Sequence, residues 1–339
     1  MIIVFGAAGF IGTYLIDRLI NENYSVAAAD LDESGILYYQ KQGIPFYNID
    51  ITDKASFDKL PIEGIEAVIN LACVQPANVS KEKYDPVDYI KVNVVGTLNI
   101  LDFCLKNNVN KIIYTCSHRN TQGLWKEKEG TAIKETDGRS IKHTGDYAMF
   151  SISESAAADC VEHYSKVYGI HGIVFRLPPV YGYGPHTEIY KDGKPLITGF
   201  QIFVNNAKQG KPLEIWGDYN KGRDIIYVKD VVSAFVLALK KNNVSGIYNI
   251  SSGRLSTLKE EAECIAREFW PQGSEPQLIY KPDKPNGIES YFYDISKAKR
   301  DLDWEPKYSF SDMIADYKKE LETERFCYLV EKRRQMIHR

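Results

Sequence analysis

The sequence is poor in the features that mark several common protein classes. No apolar run approaches the roughly 20 residues that a membrane-spanning helix needs, so no membrane partner is expected. A dominant charge sign is missing too: 42 Lys plus Arg against 45 Asp plus Glu leave a net charge of −3. That balance offers no electrostatic footprint for DNA or RNA. The six cysteines (Cys73, Cys104, Cys116, Cys160, Cys264 and Cys327) contain no Cys-x-x-Cys pair, and several lie inside apolar runs. They read as free thiols of a reducing, cytoplasmic setting rather than as a disulfide frame. The six histidines show no His-x-x-x-His or mixed Cys/His spacing, so no metal site is expected. MIIVF at residue 1 reads directly as a strand, which leaves no expected room for a signal peptide.

What is present is a strict alternation. MIIVF, SVAAAD, FYNID, EAVINLA and KIIYTC are short apolar runs of the kind that form strands buried on both faces. Between and after them, apolar residues recur at helical spacing over Phe10–Asn21, through VDYIKVNVVGTLNILDFCLKNN, and from Phe150 to Tyr168, before a further strand GIVFRL. The order predicts right-handed βαβ units and an α/β fold with a doubly wound parallel sheet of Rossmann type. After PPVYGYGP the pattern becomes irregular, with short strands at LEIWGD and DIIYV and helices near 256–269 and 310–323. The expected division is a Rossmann domain over 1–177, a smaller α+β lobe over 178–325 and a basic tail over 326–339, read as a short amphipathic helix. The sheet is expected to take back a segment near 225–250.

The turn GAAGFIG places Gly6, Gly9 and Gly12 between the first strand and the first helix. Gly6 permits a tight turn, Gly9 lets backbone approach a pyrophosphate, and Gly12 permits close helix–sheet packing. Asp30 closes the second strand, where its carboxylate can accept hydrogen bonds from ribose hydroxyls and repel a 2′-phosphate. NAD is therefore expected over NADP.

The Gly-x-x-Gly-x-x-Gly spacing resembles that of the extended short-chain dehydrogenase/reductase family, whose largest group is the nucleotide-sugar epimerases and dehydratases. The resemblance runs from Met1 to about Lys307 and includes Asp50 with Ile51, the NLAC run from Asn70 to Cys73, and Asn93 with Gly96 and Thr97. RLPPVYGYGP, GDYNKGRDIIYVKD, GIYNISSG and DISKAKRDLDWEPK are similar to its later segments. The resemblance implies a nucleotide-sugar ligand and a homodimer packed through the helices near 88–107 and after Phe150. It implies NAD contacts from Gly6, Gly9, Phe10, Ile11, Gly12, Asp30, Leu31, Asp50, Ile51, Leu71, Ala72, Asn93, Thr115, Glu154 and Pro178. Substrate contacts are implied for Ser117, Pro179 and Arg223, with Arg223 pairing the nucleotide diphosphate.

The chain departs from this family at the reaction centre. There a Ser or Thr after the fifth strand holds the sugar hydroxyl, a Tyr takes its proton, and a Lys four residues on lowers the Tyr pKa. Ser117 fills the first slot. Counting forward from Glu135 and back from Arg176 puts Phe150 at the Tyr and Glu154 at the Lys. Phe150 cannot move a proton, and Glu154 is expected to bring a negative charge that favours oxidised nicotinamide. Three substitutes are open: Tyr147, one turn before Phe150; His118, next to Ser117; and Glu154 itself. Each has a plainer alternative, as a packed aromatic, a surface loop residue and a solvated charge respectively. The pattern thus allows an enzyme with a rearranged acid/base site, or a non-catalytic NAD- and nucleotide-sugar-binding relative. Pro179 replaces an Asn that the family commonly turns toward substrate.

Overall fold

The computed structural model describes residues 1–79, 83–145, 147–184, 189–191, 194–323 and 326. Seven strands form one parallel sheet: β1 (Ile2–Phe5), β2 (Val26–Asp30), β3 (Phe46–Asn48), β4 (Ala67–Asn70), β5 (Lys111–Ser117), β6 (His171–Leu177) and β7 (Gly246–Asn249). Their order across the sheet is β7-β6-β5-β4-β1-β2-β3. The chain therefore starts inside the sheet, runs outward to β3, and returns past β1 to build the other half. This is the Rossmann-type doubly wound arrangement, with its switch point between β1 and β4.

The alternation of side chains along each strand supplies two cores. Ile2, Val4, Ala28, Ile69, Ile113 and Phe175 face one side, where the helices Phe10–Asn21 and Val228–Leu239 cover them. Ile3, Phe5, Ala27, Val68, Ile112 and Val174 face the other, beneath the helices Thr97–Lys106 and Ala148–Tyr168. Every one of these strand residues is buried. A third, smaller cluster of Trp125, Ile133, Tyr291 and Tyr293 joins the loop after β5 to the later part of the chain.

Two elements differ from their sequence expectations. The run expected as one helix over VDYIKVNVVGTLNILDFCLKNN begins at Pro86, passes through a π-helical segment at Tyr89–Gly96 and becomes α-helical at Thr97. Helical spacing of apolar residues does not resolve one widened turn, which is why the sequence did not show it. The long helix starts at Ala148 rather than Phe150, with Tyr147 at its cap position.

The segment returned to the sheet is β7, beside β6 with Gly246 opposite Ile173. The helix Val228–Leu239 also belongs to the sheet's layers, while elsewhere in the later part of the chain the strand Leu213–Trp216 pairs in parallel with Leu278–Lys281. The helices Gly199–Lys208, Leu258–Phe269 and Phe310–Glu322 pack beside that pair. Phe326 is fully buried and its ring lies 5.5 Å from Tyr14 and 5.7 Å from Tyr183. The rest of the basic tail, 327–339 with Cys327, lies outside the described residues. Among the described residues no helix is long and apolar enough to cross a membrane.

Candidate active site

The carboxyl ends of β1, β2, β4, β5 and β6 place Gly6, Asp30, Leu71, Ser117 and Pro178 along one edge of the sheet. In open α/β sheets this edge forms the ligand crevice.

At β1 the chain turns with Gly6 at φ +77°, a conformation that disfavours other residues. A Cβ on Gly6 would stand 2.7 Å from the Ala72 backbone nitrogen, and one on Gly12 only 2.3 Å from the Gly6 carbonyl oxygen. The turn is thus pressed between β4 and its own helix by backbone atoms that have no rotamer to give. Gly9 caps the helix Phe10–Asn21 without a side-chain hydrogen bond, so the first-turn amides remain available to a phosphate. Asp30 braces the same turn: one carboxylate oxygen accepts the Ala8 N–H at 2.8 Å, the other the Asp32 N–H at 2.9 Å. Phe10 packs beneath Gly184 of the later part of the chain, while Leu31 is exposed. Asp50 turns the chain by accepting both the Thr52 N–H and its hydroxyl, and Ile51 packs against Gly96. This cradle fits a dinucleotide: it combines glycines that only backbone can approach, uncapped amides and an acid at the end of β2.

The wall after β4 is a polar bracket. Asn70 accepts the Ala72 N–H and donates to the Thr97 hydroxyl, which donates in turn to the Asn93 carbonyl. The Asn93 amide holds both backbone groups of Val74 and donates to Ser153 at 2.9 Å. Its side chain therefore ties the β4 loop to the long helix and shapes the crevice from within the protein. Thr115 lies on β5 opposite Phe175.

The candidate reaction residues gather at β5. The Ser117 hydroxyl oxygen accepts the Arg119 N–H at 3.1 Å and lies 3.4 Å from His118 Nδ1. That nitrogen is also 3.2 Å from the Leu177 carbonyl oxygen, which can only accept, so Nδ1 carries the hydrogen and Nε2 the lone pair. The imidazole stacks on Trp125 and on Tyr291, both at 5.6 Å. Burial, then the charges of Arg119 and Arg223, hold its pKa well below the ordinary histidine value. His118 is therefore neutral at pH 7 and is packed, not a surface loop residue.

Phe150 is 6% exposed and meets Tyr147 edge-on at 6.2 Å. Glu154 is 3% exposed, which excludes the solvated alternative. The Tyr114 hydroxyl donates to its carboxyl at 3.1 Å, and among the described residues no basic group is paired with it. Burial raises Glu154 to about 8, against the weaker opposing pull of Tyr114 and the Ser117 N–H. The expected negative charge is thereby corrected: at pH 7 this residue is predominantly a neutral acid, because the fold offers the carboxylate too little to replace water.

Arg223 donates to the Tyr181 hydroxyl at 3.2 Å, while Pro179 contributes its carbonyl to the Ile226 N–H. The sequence reading missed Arg119, Tyr114, Trp125 and Tyr291, which surround the predicted residues. Only Arg119, a cation two positions after Ser117, carried a signal that the sequence could have yielded.

This crevice and sheet define a nucleotide-binding oxidoreductase-type protein. The chain belongs to the NAD dependent epimerase/dehydratase family, whose model matches residues 2–251, and it is an NAD-dependent enzyme. It is 31% identical over 316 residues, covering 93% of this chain and 96% of the relative, to a Methanocaldococcus jannaschii protein named "Putative UDP-glucose 4-epimerase". It is also similar to UDP-glucuronic acid decarboxylase 1 of Arabidopsis thaliana, at 26% identity over 94% of this chain and 69% of that one. Among solved structures, a Thermotoga maritima UDP-glucose 4-epimerase with UDP-glucose superposes with a TM-score of 0.74 at 27% identity, covering 95% and 98% of the two chains. A Thermus thermophilus UDP-glucose 4-epimerase in complex with NAD gives 0.72 at 26% identity, covering 95% and 98%.

Proposed function

We propose that this enzyme acts on nucleotide sugars as an epimerase or dehydratase, with its acid/base group moved from the long helix to the end of β5. The observation that carries this reading is the placement of His118 beside Ser117, with its Nδ1 hydrogen fixed by the Leu177 carbonyl so that Nε2 keeps the lone pair. Ser117 receives the Arg119 N–H, which leaves its own hydroxyl hydrogen to donate to a sugar oxygen. His118, neutral and held by its Nδ1 hydrogen, takes a hydroxyl proton at Nε2. NAD, when bound, accepts and returns a hydride. Asp30 meets its adenosine ribose, and Glu154 offers the nicotinamide ribose an uncharged hydrogen-bonding group. Arg223 meets the nucleotide diphosphate. Phe150 supplies an apolar wall and Tyr147 packs at the helix start. On this reading residues 1–177 with β7 hold the cofactor and 178–325 cover the sugar. Buried thiols at Cys104, Cys116 and Cys264 support a reducing, cytoplasmic setting.

The test is hydride exchange between bound NAD and a panel of nucleotide sugars. His118→Ala is expected to lose about 10²–10⁴-fold, the usual contribution of a general base, while Tyr147→Phe stays near wild type. An equal or larger loss in Tyr147→Phe would move the role to Tyr147. No exchange by the wild type with any sugar would support the non-catalytic reading instead.

The same reading includes a two-fold dimer. Val87, Ile90 and Val95 on one helical run and Val167 and Tyr168 on the long helix are exposed, and a second copy would cover them. Sedimentation at micromolar concentration should give a dimer; a monomer would sink this part.

A further inference from the structure

Four of the eight described arginines have a carboxylate partner: Arg18 meets Glu22, Arg139 meets Asp159, Arg254 meets Glu260 and Arg300 meets Asp301. The exposed Arg267 has none and stands in solvent. Arg176 has none either, but it is enclosed on β6 and donates to Asn249. Arg119 and Arg223 also have none within salt-bridge reach, and each, like Arg176, has its Nε buried without a hydrogen-bond partner among the described residues. Both are close enough to His118 and to Tyr291 to act on them electrostatically. Glu261, the acid nearest in effect to Arg223, is itself pushed up to about 7 by burial and neutralises it only in part. Two cations held this way are costly unless a ligand supplies the missing anions.

The two come from opposite walls. Arg223 sits on the short antiparallel pair of Gly222–Arg223 with Ser256–Thr257, in the later part of the chain. Arg119 belongs to the turn after β5, and its own N–H is bonded to the Ser117 hydroxyl. Its guanidinium lies 4.2 Å from the Tyr147 ring and 5.5 Å from the Trp125 ring. One terminal nitrogen donates to Gln122 at 3.2 Å. Stacking between two aromatic faces fixes the plane of the fork and leaves its remaining edge for an acceptor. Arg119 thus stands at the reacting end, where a nucleotide sugar presents its sugar ring, and Arg223 remains for the diphosphate.

We propose that Arg119 is a specificity residue that pairs a carboxylate carried by the sugar, so that the enzyme prefers a nucleotide-linked uronic acid over its neutral counterpart. This rests on the nucleotide-sugar reading above and adds one charged group to the ligand.

The test is calorimetric titration of the NAD-loaded protein with UDP, UDP-glucose and UDP-glucuronate, the last two differing only at the C6 carboxylate. Wild type should bind UDP-glucuronate roughly 10- to 100-fold more tightly than UDP-glucose, the range of a charge-assisted hydrogen bond. Arg119→Gln should erase that preference while leaving UDP and UDP-glucose unchanged, and Arg119→Lys should keep part of it. Thermal unfolding of both variants near wild type would confirm that the turn is intact. Should Arg119→Gln fail to fold, the wild-type ratio alone decides. Equal wild-type affinity for the two sugars would overturn the inference and leave the nucleotide-sugar reading standing. So would an Arg119→Gln variant that loses affinity for UDP itself, since Arg119 would then serve the diphosphate. Failure of all three ligands to bind would overturn both.

Discussion

The two ends of the crevice are built from different material. At the cofactor end the ligand surface is backbone: three glycines within one turn, uncapped amides, and an acid that has already spent hydrogen bonds on Ala8 and Asp32. At the proposed reaction end it is side chains, brought from the β5 turn, the long helix and the later part of the chain, with two guanidinium groups and one carboxyl that have no ion-pair partner among the described residues. Backbone geometry permits few solutions, so the first end is rigid in sequence. Side-chain geometry permits many, so the second can be rearranged while the fold stays.

The sharpest way to break that comparison is Gly12→Ala. The added Cβ would stand 2.3 Å from the Gly6 carbonyl oxygen and 2.7 Å from that of Ala7, neither of which can swing away. NAD affinity should fall by more than about 100-fold, since the turn must open to admit the methyl. Fluorescence titration with NAD measures it, and retained affinity would mean that the turn is softer than its contacts imply.

A smaller effect should follow from Glu154→Gln, read as stability against pH. The folded protein keeps the Glu154 proton up to about 8, whereas the unfolded chain releases it near the ordinary 4.5. Stability from this group is therefore full below 4.5, declines between 4.5 and about 8, and is level above. At about 1.4 kcal/mol per pKa unit the decline is on the order of a few kcal/mol. Asp224 and Glu261, raised to about 6 and about 7, act in the same direction and remain in the variant. Urea unfolding at pH 5 and pH 8 should show Glu154→Gln gaining on wild type as pH rises. Parallel behaviour at both values would mean that Glu154 is ionised in the fold.

The sheet, and the glycine turn with its acid that the proposed reading gives to NAD, were legible because they depend on patterns local in sequence: alternating apolar runs, a glycine turn, an acid at a strand end. The substitutions Phe150 and Glu154 were legible as departures from a motif, but the state of Glu154 was not. That state depends on burial beside Tyr114, forty residues away in the chain, and no local pattern carries burial. Arg119 shows the same limit. Its position after Ser117 was visible, but its enclosure by Trp125 and Tyr147 arises only when the β5 turn folds against the helix start. The π-helical turn at Tyr89–Gly96 escaped for a different reason, because it changes the pitch of a helix without changing its apolar face.

The position of β7 has a consequence for how the chain is made. It lies at the sheet edge beside β6, yet in sequence it is far removed from β6. As the protein leaves the ribosome, β6 emerges with its outer row of amides and carbonyls unmatched. It stays so until Gly246–Asn249 has been synthesised, after the helix Val228–Leu239. An unmatched strand edge is a template for pairing with other chains. The nascent protein therefore passes through an interval in which the seven-residue β6 is the bare sheet edge, and the shorter strand that covers part of it arrives late in the chain. Synthesis that stalls within that interval would release a six-stranded sheet with the β6 edge bare and prone to aggregate, rather than a smaller working domain.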